Sequence, residues 1–365
     1  MKEGYRLLGD FIQPVDERNR DLRVDYLLGV SISKQFIPSI ANIVGTDLSN
    51  YKIVRTGQFA YGPVTSRNGE KISIALLRDK DCIISSSYTV FEVVNKNELD
   101  SEYLMLWFSR PEFDRYARYM SHGSVREIFD WDELCKVELP VPSIDKQRSI
   151  VRAYQNITER IELKRRINDN LDATIYAKFQ DMFQKNKEIL FSGEQLEDWC
   201  IKPLSFLADF KYGKMATSEI LCEKGFPVYS GYRIVGYCNK YMFKEPQLVV
   251  LARGVSGTGE VRISPPCCHL TNLSIAVLLY DRTYINYLLY YLENDNLISL
   301  DSGSAQSQIT INNLSMHKVM LPPYSKVVEF DNIAKQLRSI IDENNKEIEV
   351  LEELKKVLLT TISSR

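Results

Sequence analysis

GSVREIFDWDELCKVELPVPS, from Gly123 to Ser143, is answered by GSAQSQITINNLSMHKVMLPPYS, from Gly303 to Ser325. Gly303 follows Gly123, and Leu314 follows Leu134, by the same 180 residues; at Leu321 against Leu139 the offset has grown to 182. Both stretches run Gly-Ser, then an isolated leucine, then an apolar run ending in Leu-Pro, then a helical pattern that opens at Ile150-Val151 in the first copy and at Phe330 and Ile333 in the second. A period this long means a duplicated domain and excludes a solenoid of short repeats.

The prolines at 140, 142, 322 and 323 mark the boundary at which the period changes, because the residue before a proline is driven out of the helical region. Beyond them, apolar residues recur at Ile150, Tyr154, Ile157 and Ile161, and again at Ile167, Leu171, Ile175, Phe179 and Met182. The second copy gives Phe330, Ile333, Leu337, Ile340, then Asn344, then Ile348, Leu351, Leu354 and Leu358. Steps of three and four make a coiled-coil seam. Either helix alone leaves its seam in water, so the two are expected to pair, antiparallel because each leaves a different globular segment. About forty residues of helix span roughly 60 Å. Asn168 and Asn344 lie near the two midpoints and are expected to meet in one polar layer that sets register.

Ahead of each helix lies a segment rich in β-branched and aromatic residues. Ile72–Leu76, Cys82–Ile84 and Tyr88–Val93 read as strands, as do Leu248–Ala252 and Leu273–Leu278. Glu102–Phe108 and Tyr284–Tyr290 read as the short helices that follow them. The fold class is α+β: two tandem α+β domains separated by two long helices that form an antiparallel coiled coil, with a pseudo-twofold internal repeat. The expected boundaries are 1–143 for the first domain, 144–190 for the first long helix, 191–325 for the second domain and 326–365 for the second long helix.

With 365 residues, 44% of them hydrophobic, the chain has material for more than one core. Its net charge of −2 gives no bulk attraction to phosphate, although basic stretches stand at Arg18 to Arg23, Arg115 to Arg118 and Lys164-Arg165-Arg166. Seven cysteines in no even framework fit reduced thiols. The start, MKEGYRLLGDF, has no apolar signal core, and no window offers the roughly 20 apolar residues of a membrane span. A cytoplasmic location is expected.

Three local motifs point toward enzymes and fail on their chemistry. Leu321-Pro322-Pro323-Tyr324 is close to the Asn-Pro-Pro-Tyr loop of adenine methyltransferases, but leucine cannot hold an amino group, and the matching Leu139-Pro140-Val141-Pro142 reads as a domain-to-helix joint. Gly254-Val255-Ser256-Gly257-Thr258-Gly259 lacks the spacing of a dinucleotide loop and the Lys-Ser or Lys-Thr of a P-loop, and reads as a hairpin turn. Cys267-Cys268-His269 with Cys238 contains no C-x-x-C pair for zinc, and His122, His269 and His317 are scattered. No catalytic or metal-binding residue is assigned.

Two variable α+β segments, each closed by a Gly-Ser element, a Leu-Pro joint and a long helix, resemble the specificity subunit of Type I restriction-modification systems over nearly the whole chain. The resemblance implies that each α+β segment is a target-recognition domain reading one half of a bipartite site in double-stranded DNA, and that the paired helices fix the spacer and dock two methyltransferase (modification) subunits. It implies a non-catalytic, DNA-binding chain serving DNA methylation and phage defence, with no cofactor of its own. S-adenosylmethionine would sit in the partner methyltransferase subunits, and ATP and magnesium in the restriction (translocase/nuclease) subunits.

Base edges are read by Arg, Lys, Asn and Gln, and phosphates also by Ser, Thr and backbone N–H groups. In the first domain these criteria select the polar loop between strands, with Tyr61, Thr65, Arg67, Asn68 and Lys71, together with Gln58 and Arg126. In the second they select Tyr232, Arg233, Arg253, Ser256, Thr258, Arg262, Ser304 and Gln306. The Gly-Ser elements recur in domains expected to read different sequences, so they are assigned to folding or phosphate positioning. Two rival readings remain open: a protein-interaction scaffold, which salt-sensitive DNA binding would oppose, and a nuclease using Asp79, Asp81 and Glu92, which metal-dependent cleavage by the chain alone would favour. Arg67→Ala is expected to damage recognition of one half of the target only, measured by mapping the modified sites; equal loss over both halves would show misfolding or phosphate binding instead.

Overall fold

The computed structural model describes residues 4–39, 45–66, 68–123, 126–193, 196–230, 233–254, 257–300 and 308–362. The chain divides into two compact units, one formed by Met1–Lys164 with Lys346–Arg365 and the other by Arg165–Asn345. Each unit takes one α+β segment and one half of each long helix.

Unit 1 begins with strand β1 (Tyr5–Leu7), which pairs antiparallel with β10 (Glu138–Pro140), the strand that carries the first Leu-Pro joint. Strands β2 (Ile12–Val15), β6 (Phe59–Tyr61), β7 (Ile74–Leu76) and β9 (Thr89–Val93) make a sheet in the order β2-β9-β6-β7. A hairpin of β3 (Leu28–Val30) and β4 (Phe36–Pro38) lies beside the pair β5 (Lys52–Val54) and β8 (Cys82–Ile84), joined by a parallel bridge from Leu27 to Ile83. Helix α1 (Ser101–Phe108) is capped by Asp100, whose carboxylate accepts from the backbone N–H groups of Glu102 and Tyr103. Such a cap is worth about 1 kcal/mol. Every residue of α1 from Tyr103 to Phe108 is buried, Phe108 against the stacked rings of Phe59 and Phe91. Helices α2 (Pro111–Tyr119) and α3 (Trp131–Cys135) close the core.

The first long helix, α4 (Ile144–Phe179), passes through a π turn at Gln180–Gln184 into α5 (Lys185–Phe191). Gln147, fully buried in its first turn, donates to the carbonyls of Glu98 and Pro142 and accepts from the N–H of Asp100. One amide thus ties the start of α4 to the cap of α1.

Unit 2 repeats the plan. Strand β11 (Cys200–Pro203) pairs with β20 (Lys318–Leu321), the second Leu-Pro joint. The main sheet has the order β12-β19-β16-β17, from β12 (Ala208–Tyr212), β16 (Leu248–Leu251), β17 (Val261–Ile263) and β19 (Ser274–Leu279). The second sheet, β13-β15-β14-β18, is formed by β13 (Leu221–Cys222), β14 (Phe226–Ser230), β15 (Arg233–Cys238) and β18 (His269–Leu270). Helix α6 (Tyr284–Glu293) stands where α1 stands in unit 1: the Tyr287 hydroxyl donates to the Met320 carbonyl at 2.8 Å as Tyr103 does to Pro140 at 3.1 Å. Helix α7 (Ile311–Met316) precedes β20, and the second long helix is α8 (Tyr324–Thr361). The expected hairpin turn at Gly254–Gly259 includes Val255 and Ser256, which lie outside the described residues; on either side of it Gly259 N–H donates to the Leu251 carbonyl, Leu251 N–H donates to that of Glu260, and β16 pairs with β17.

In each unit the halves of α4 and α8 pack antiparallel. In unit 1, Val151, Ile150 and Tyr154 meet Leu359 and Ile362, while Arg160 and Lys164 both bind Glu347. In unit 2, Phe179 and Phe183 pack on Phe330 and Tyr287, with ring centroids 4.8–5.9 Å apart. The π turn widens the helix just after Phe179 and leaves both rings in the core. The expected meeting of asparagines takes place here: Asn344 Nδ2 donates to Asn168 Oδ1 at 2.8 Å, and Asn168 Nδ2 donates to Asn345 Oδ1 at 2.9 Å.

The seam of α8 differs from the sequence expectation at three places, where Ala334 stands for Ile333, Ile341 for Ile340 and Lys355 for Leu354. Ile340 and Leu354 are 44% and 49% exposed, and one continuous row of buried and half-buried positions is formed by Phe330, Ala334, Leu337, Ile341, Asn344, Ile348, Leu351, Lys355, Leu358 and Ile362. These alternate four and three without a break. Ala334 and Lys355 fill seam positions that hydrophobicity alone passes over; Lys355 lies along the seam with its ammonium 4.7 Å from the Tyr154 ring centre. In α4, likewise, Asn168 takes the seam and Ile167 is 38% exposed.

Asn344→Leu should strand the buried carbonyl of Asn168 and lower stability by about 1–3 kcal/mol. The double change Asn168→Leu with Asn344→Leu should melt at or above the wild-type temperature, because removing both partners leaves no unpaired buried amide. Thermal denaturation of the three chains checks this, and an unperturbed single variant would remove the layer from the account.

Candidate nucleic-acid interface

One corner recurs in both units, assembled from four separate segments. In unit 1 the loop after β6 is stitched to the segment after Gly123: Phe129 N–H donates to the Pro63 carbonyl at 2.8 Å, Thr65 N–H to that of Glu127 at 3.0 Å, and the Thr65 hydroxyl to Ser121 Oγ at 2.9 Å. Gly123 has φ +135°, and a Cβ there would lie 2.1 Å from the Arg126 carbonyl oxygen, so the turn requires glycine. The end of β3 at Val30 and the turn Ser85–Tyr88 complete the corner. Val30, Val64, Asn68, Ser87, Tyr88 and Arg126 face a shared open hollow of about 300 Å³.

In unit 2 the counterpart turn, Thr271–Ser274, organises the same parts. Ala252 and Arg253 N–H groups both donate to the Leu273 carbonyl, Thr271 N–H donates to that of Tyr229, and the Thr271 hydroxyl reaches Ser230 Oγ at 3.3 Å. Ile309 N–H donates to the Ala252 carbonyl at 2.9 Å, as Phe129 does to Pro63, and Arg253 bridges to Gln308. Gly213 approaches so closely that a Cβ would lie 2.0 Å from the Thr271 carbonyl oxygen, which brings exposed Lys214 to the same edge.

The sequence candidates separate on this geometry. Asn68 and Arg126 come together in the unit 1 corner, with Arg126 exposed; Lys71 is exposed but lines a different hollow, with Lys34 and Arg78. Arg233 and Arg253 are exposed at the unit 2 corner. Gln58 and Tyr61 are 8% and 0% exposed, and the Gln58 amide is spent on Arg55 N–H and Glu92, so both are core residues. Thr65 and Thr258 are also buried, Thr258 on the Gly254 carbonyl. Arg262 is ion-paired with Glu260 and Glu293. Arg67, Tyr232, Ser256, Ser304 and Gln306 lie outside the described residues. Sequence reading missed Val30, Ser87 and Tyr88 in unit 1 and Lys214, Ser230 and Thr271 in unit 2. No sequence signal marked them: Val30 and Ser230 end strands, and the others stand in turns or loops without a motif.

The carboxylates of the nuclease reading do not converge. Asp81 is bound by Arg55 and the Thr56 N–H, which hold it below the usual carboxylate range; Glu92 accepts from Gln58 and Gln13, and those two amides hold it down in the same way. Among the described residues no group of three His, Cys, Asp or Glu side chains is placed to hold a metal ion, and no helix is long and apolar enough to cross a membrane.

The two corners differ at their hairpins. In unit 1, Lys34 at the tip of β3–β4 takes φ +64° and donates to Asp114 at 2.7 Å and to the Ile72 carbonyl at 3.2 Å. Asp114 also accepts from Ile72 N–H at 3.1 Å. Burial pulls the Lys34 ammonium below the usual lysine range, and the Asp114 carboxylate opposes that shift. This ion pair fastens the tip to α2.

Comparison with known proteins supplies the family. The model of the Type I restriction modification DNA specificity domain matches residues 36–173 and again 196–355. The Type I restriction enzyme MjaIX specificity subunit of Methanocaldococcus jannaschii is 22% identical over 299 residues, 73% of this chain and 69% of that protein. Among solved structures, the S subunit of the Type I restriction-modification system of M. genitalium aligns over 99% of this chain and 96% of its own, at 16% identity and a TM-score of 0.66. A chain from a structure showing complex assembly and conformational transition of the type I R-M system aligns over 99% of this chain and 98% of its own, at 18% identity and a TM-score of 0.50.

Removing one partner of a buried ion pair costs about 3–5 kcal/mol. With side-chain exposures of 9% and 12% for Lys34 and Asp114, Asp114→Ala should lose stability in that range and release the β3–β4 tip, seen as faster amide exchange at Lys34 and Ile72. Unchanged exchange there would mean that the tip is held by its backbone alone.

Proposed function

The chain belongs to the Type I restriction modification DNA specificity family, whose domain it carries twice, and we propose that each unit reads one half of a bipartite DNA target while α4 and α8, which run through both units, set the gap between the halves. The observation that carries this reading is the duplicated corner. The same four segments converge in both units, yet the side chains they present differ: Asn68 and Arg126 in one, Lys214, Arg233 and Arg253 in the other. A shared frame with unlike polar side chains is what two readers of unlike half-sites require. The backbone pairings common to both corners are structural, and the guanidinium and amide groups they display have the donor geometry for base edges and phosphates.

In this role the chain supplies recognition and no chemistry. Modification subunits docked on the paired helices would carry S-adenosylmethionine and methylate adenine, and restriction subunits would carry the ATP-driven machinery. The exposed outer faces of α8, with Val350, Leu354 and Val357 at 67%, 49% and 54% exposure, are apolar enough to take partner helices.

Exchange of residues 192–323 for the equivalent segment of another family member, followed by mapping of modified bases after co-expression with the modification subunits, tests the division of labour. The expected result is a target changed in one half only, with the other half and the gap retained. A target changed in both halves would contradict it.

A further inference from the structure

We propose that the β14–β15 ribbon of unit 2 enters the major groove of that unit's half-site, with Arg233, Ile234 and Val235 at the base edges; the inference rests on the DNA-reading function above. The ribbon departs from a normal half-buried strand pair. From Arg233 to Val235 three consecutive residues of β15 are exposed, Ile234 and Val235 at 49% and 51%, and Tyr237 is 43% exposed beyond them. The only neighbour of Arg233 to Gly236 among the described strands is β14, because β13 pairs with Tyr237 and Cys238 alone. One edge of this stretch is therefore unpaired among the described strands.

The pairing explains how the side chains come to be presented. Val228 pairs with Gly236 and Tyr229 with Ile234, so Val235 has no partner opposite it and forms a β-bulge. A bulge breaks the alternation of side chains and bends its strand, which re-aims the residues beside it. It also twists an edge away from the addition of another strand, which disfavours a peptide strand as the occupant. Two exposed β-branched side chains next to an arginine suit a groove floor in which thymine methyl groups alternate with guanine acceptors, and a two-stranded ribbon fits the width of the major groove.

Charge complementarity points the same way. Residues 213–245 carry five basic side chains against three acidic ones in a chain whose net charge is −2. The two strands themselves hold one charge, Arg233, and no carboxylate. Lys214, Lys224, Lys240 and Lys244 flank them, all exposed and none with an ion-pair partner among the described residues. Central apolar and guanidinium groups with lysines around them match a groove floor bordered by phosphate. The equivalent β3–β4 hairpin of unit 1 is instead fastened by Lys34 to Asp114, so the two units would read DNA with different elements.

The test uses the full chain co-expressed with its modification subunits, carrying either Arg233→Ala or the pair Ile234→Ser and Val235→Ser; the exposure of all three residues predicts an unchanged melting temperature. Mapping of modified bases should show relaxed base preference in one half of the target and modification of the original site slowed about 10- to 100-fold, as for loss of one bidentate base contact. Modification of the original target at the wild-type rate by both variants would overturn the ribbon's role and leave the DNA-reading function standing. Loss of co-purifying modification subunits would overturn it in favour of a protein-docking edge. Wild-type chain that directs no modification would remove the underlying reading, and this inference with it.

Discussion

The amide of Asn168 against that of Asn344, buried at 2.8 Å in the seam of the paired helices, is the constraint on which the arrangement of unit 2 depends. A seam of alternating threes and fours can slide by a heptad and still bury apolar groups, so hydrophobicity alone does not choose a register. A polar layer does, because sliding leaves two amides without partners in the core. The register it selects puts Phe330 over Phe179 and Phe183, and that aromatic cluster in turn seats Tyr287, whose hydroxyl ties α6 to the Leu-Pro strand. In unit 1 the same tie is made by Tyr103, and Gln147 adds the buried link from helix start to helix cap. Long helix and α+β segment are thus locked by single polar groups in each unit.

Much of this was legible in the sequence because it depends on periodicity. The 180-residue repeat, the Leu-Pro joints, the strands Cys82–Ile84 and Leu248–Leu251, the short helices and the asparagine layer all follow from spacing and residue type. The errors at Ile333 and Leu354 follow from equating seam with hydrophobicity: Ala334 and Lys355 hold seam positions by geometry, one too small and the other too polar to be counted, while at Ile340 hydrophobicity could not choose between two adjacent isoleucines. The candidate site was legible only in part. Gln58 and Tyr61 have the residue types of readers, but their side chains point into the core, and a strand only three residues long has no pattern from which that could be read. The turn Thr271–Ser274 and the pin from Lys34 to Asp114 join residues far apart in sequence, and no local rule finds them.

A common frame with divergent display is the design principle of this protein. The two corners share their backbone pairings, and each has an obligatory glycine at a place of its own, Gly123 in one and Gly213 in the other, which sets where segments cross. What differs is side chain: a hollow bordered by Asn68 and Arg126 against a bulged ribbon with flanking lysines. On the proposed reading, separation of frame from display would let one domain, duplicated, acquire two unlike recognition surfaces without altering the core that holds either.

The most direct measurement of the central claim is a map of every base modified when the wild-type chain is expressed with its modification subunits in a host without methylation of its own. The account predicts a split, asymmetric target of two short defined parts around a gap of fixed length. A single uninterrupted target, or one whose two parts are identical by symmetry, would contradict the assignment of two unlike readers to one chain.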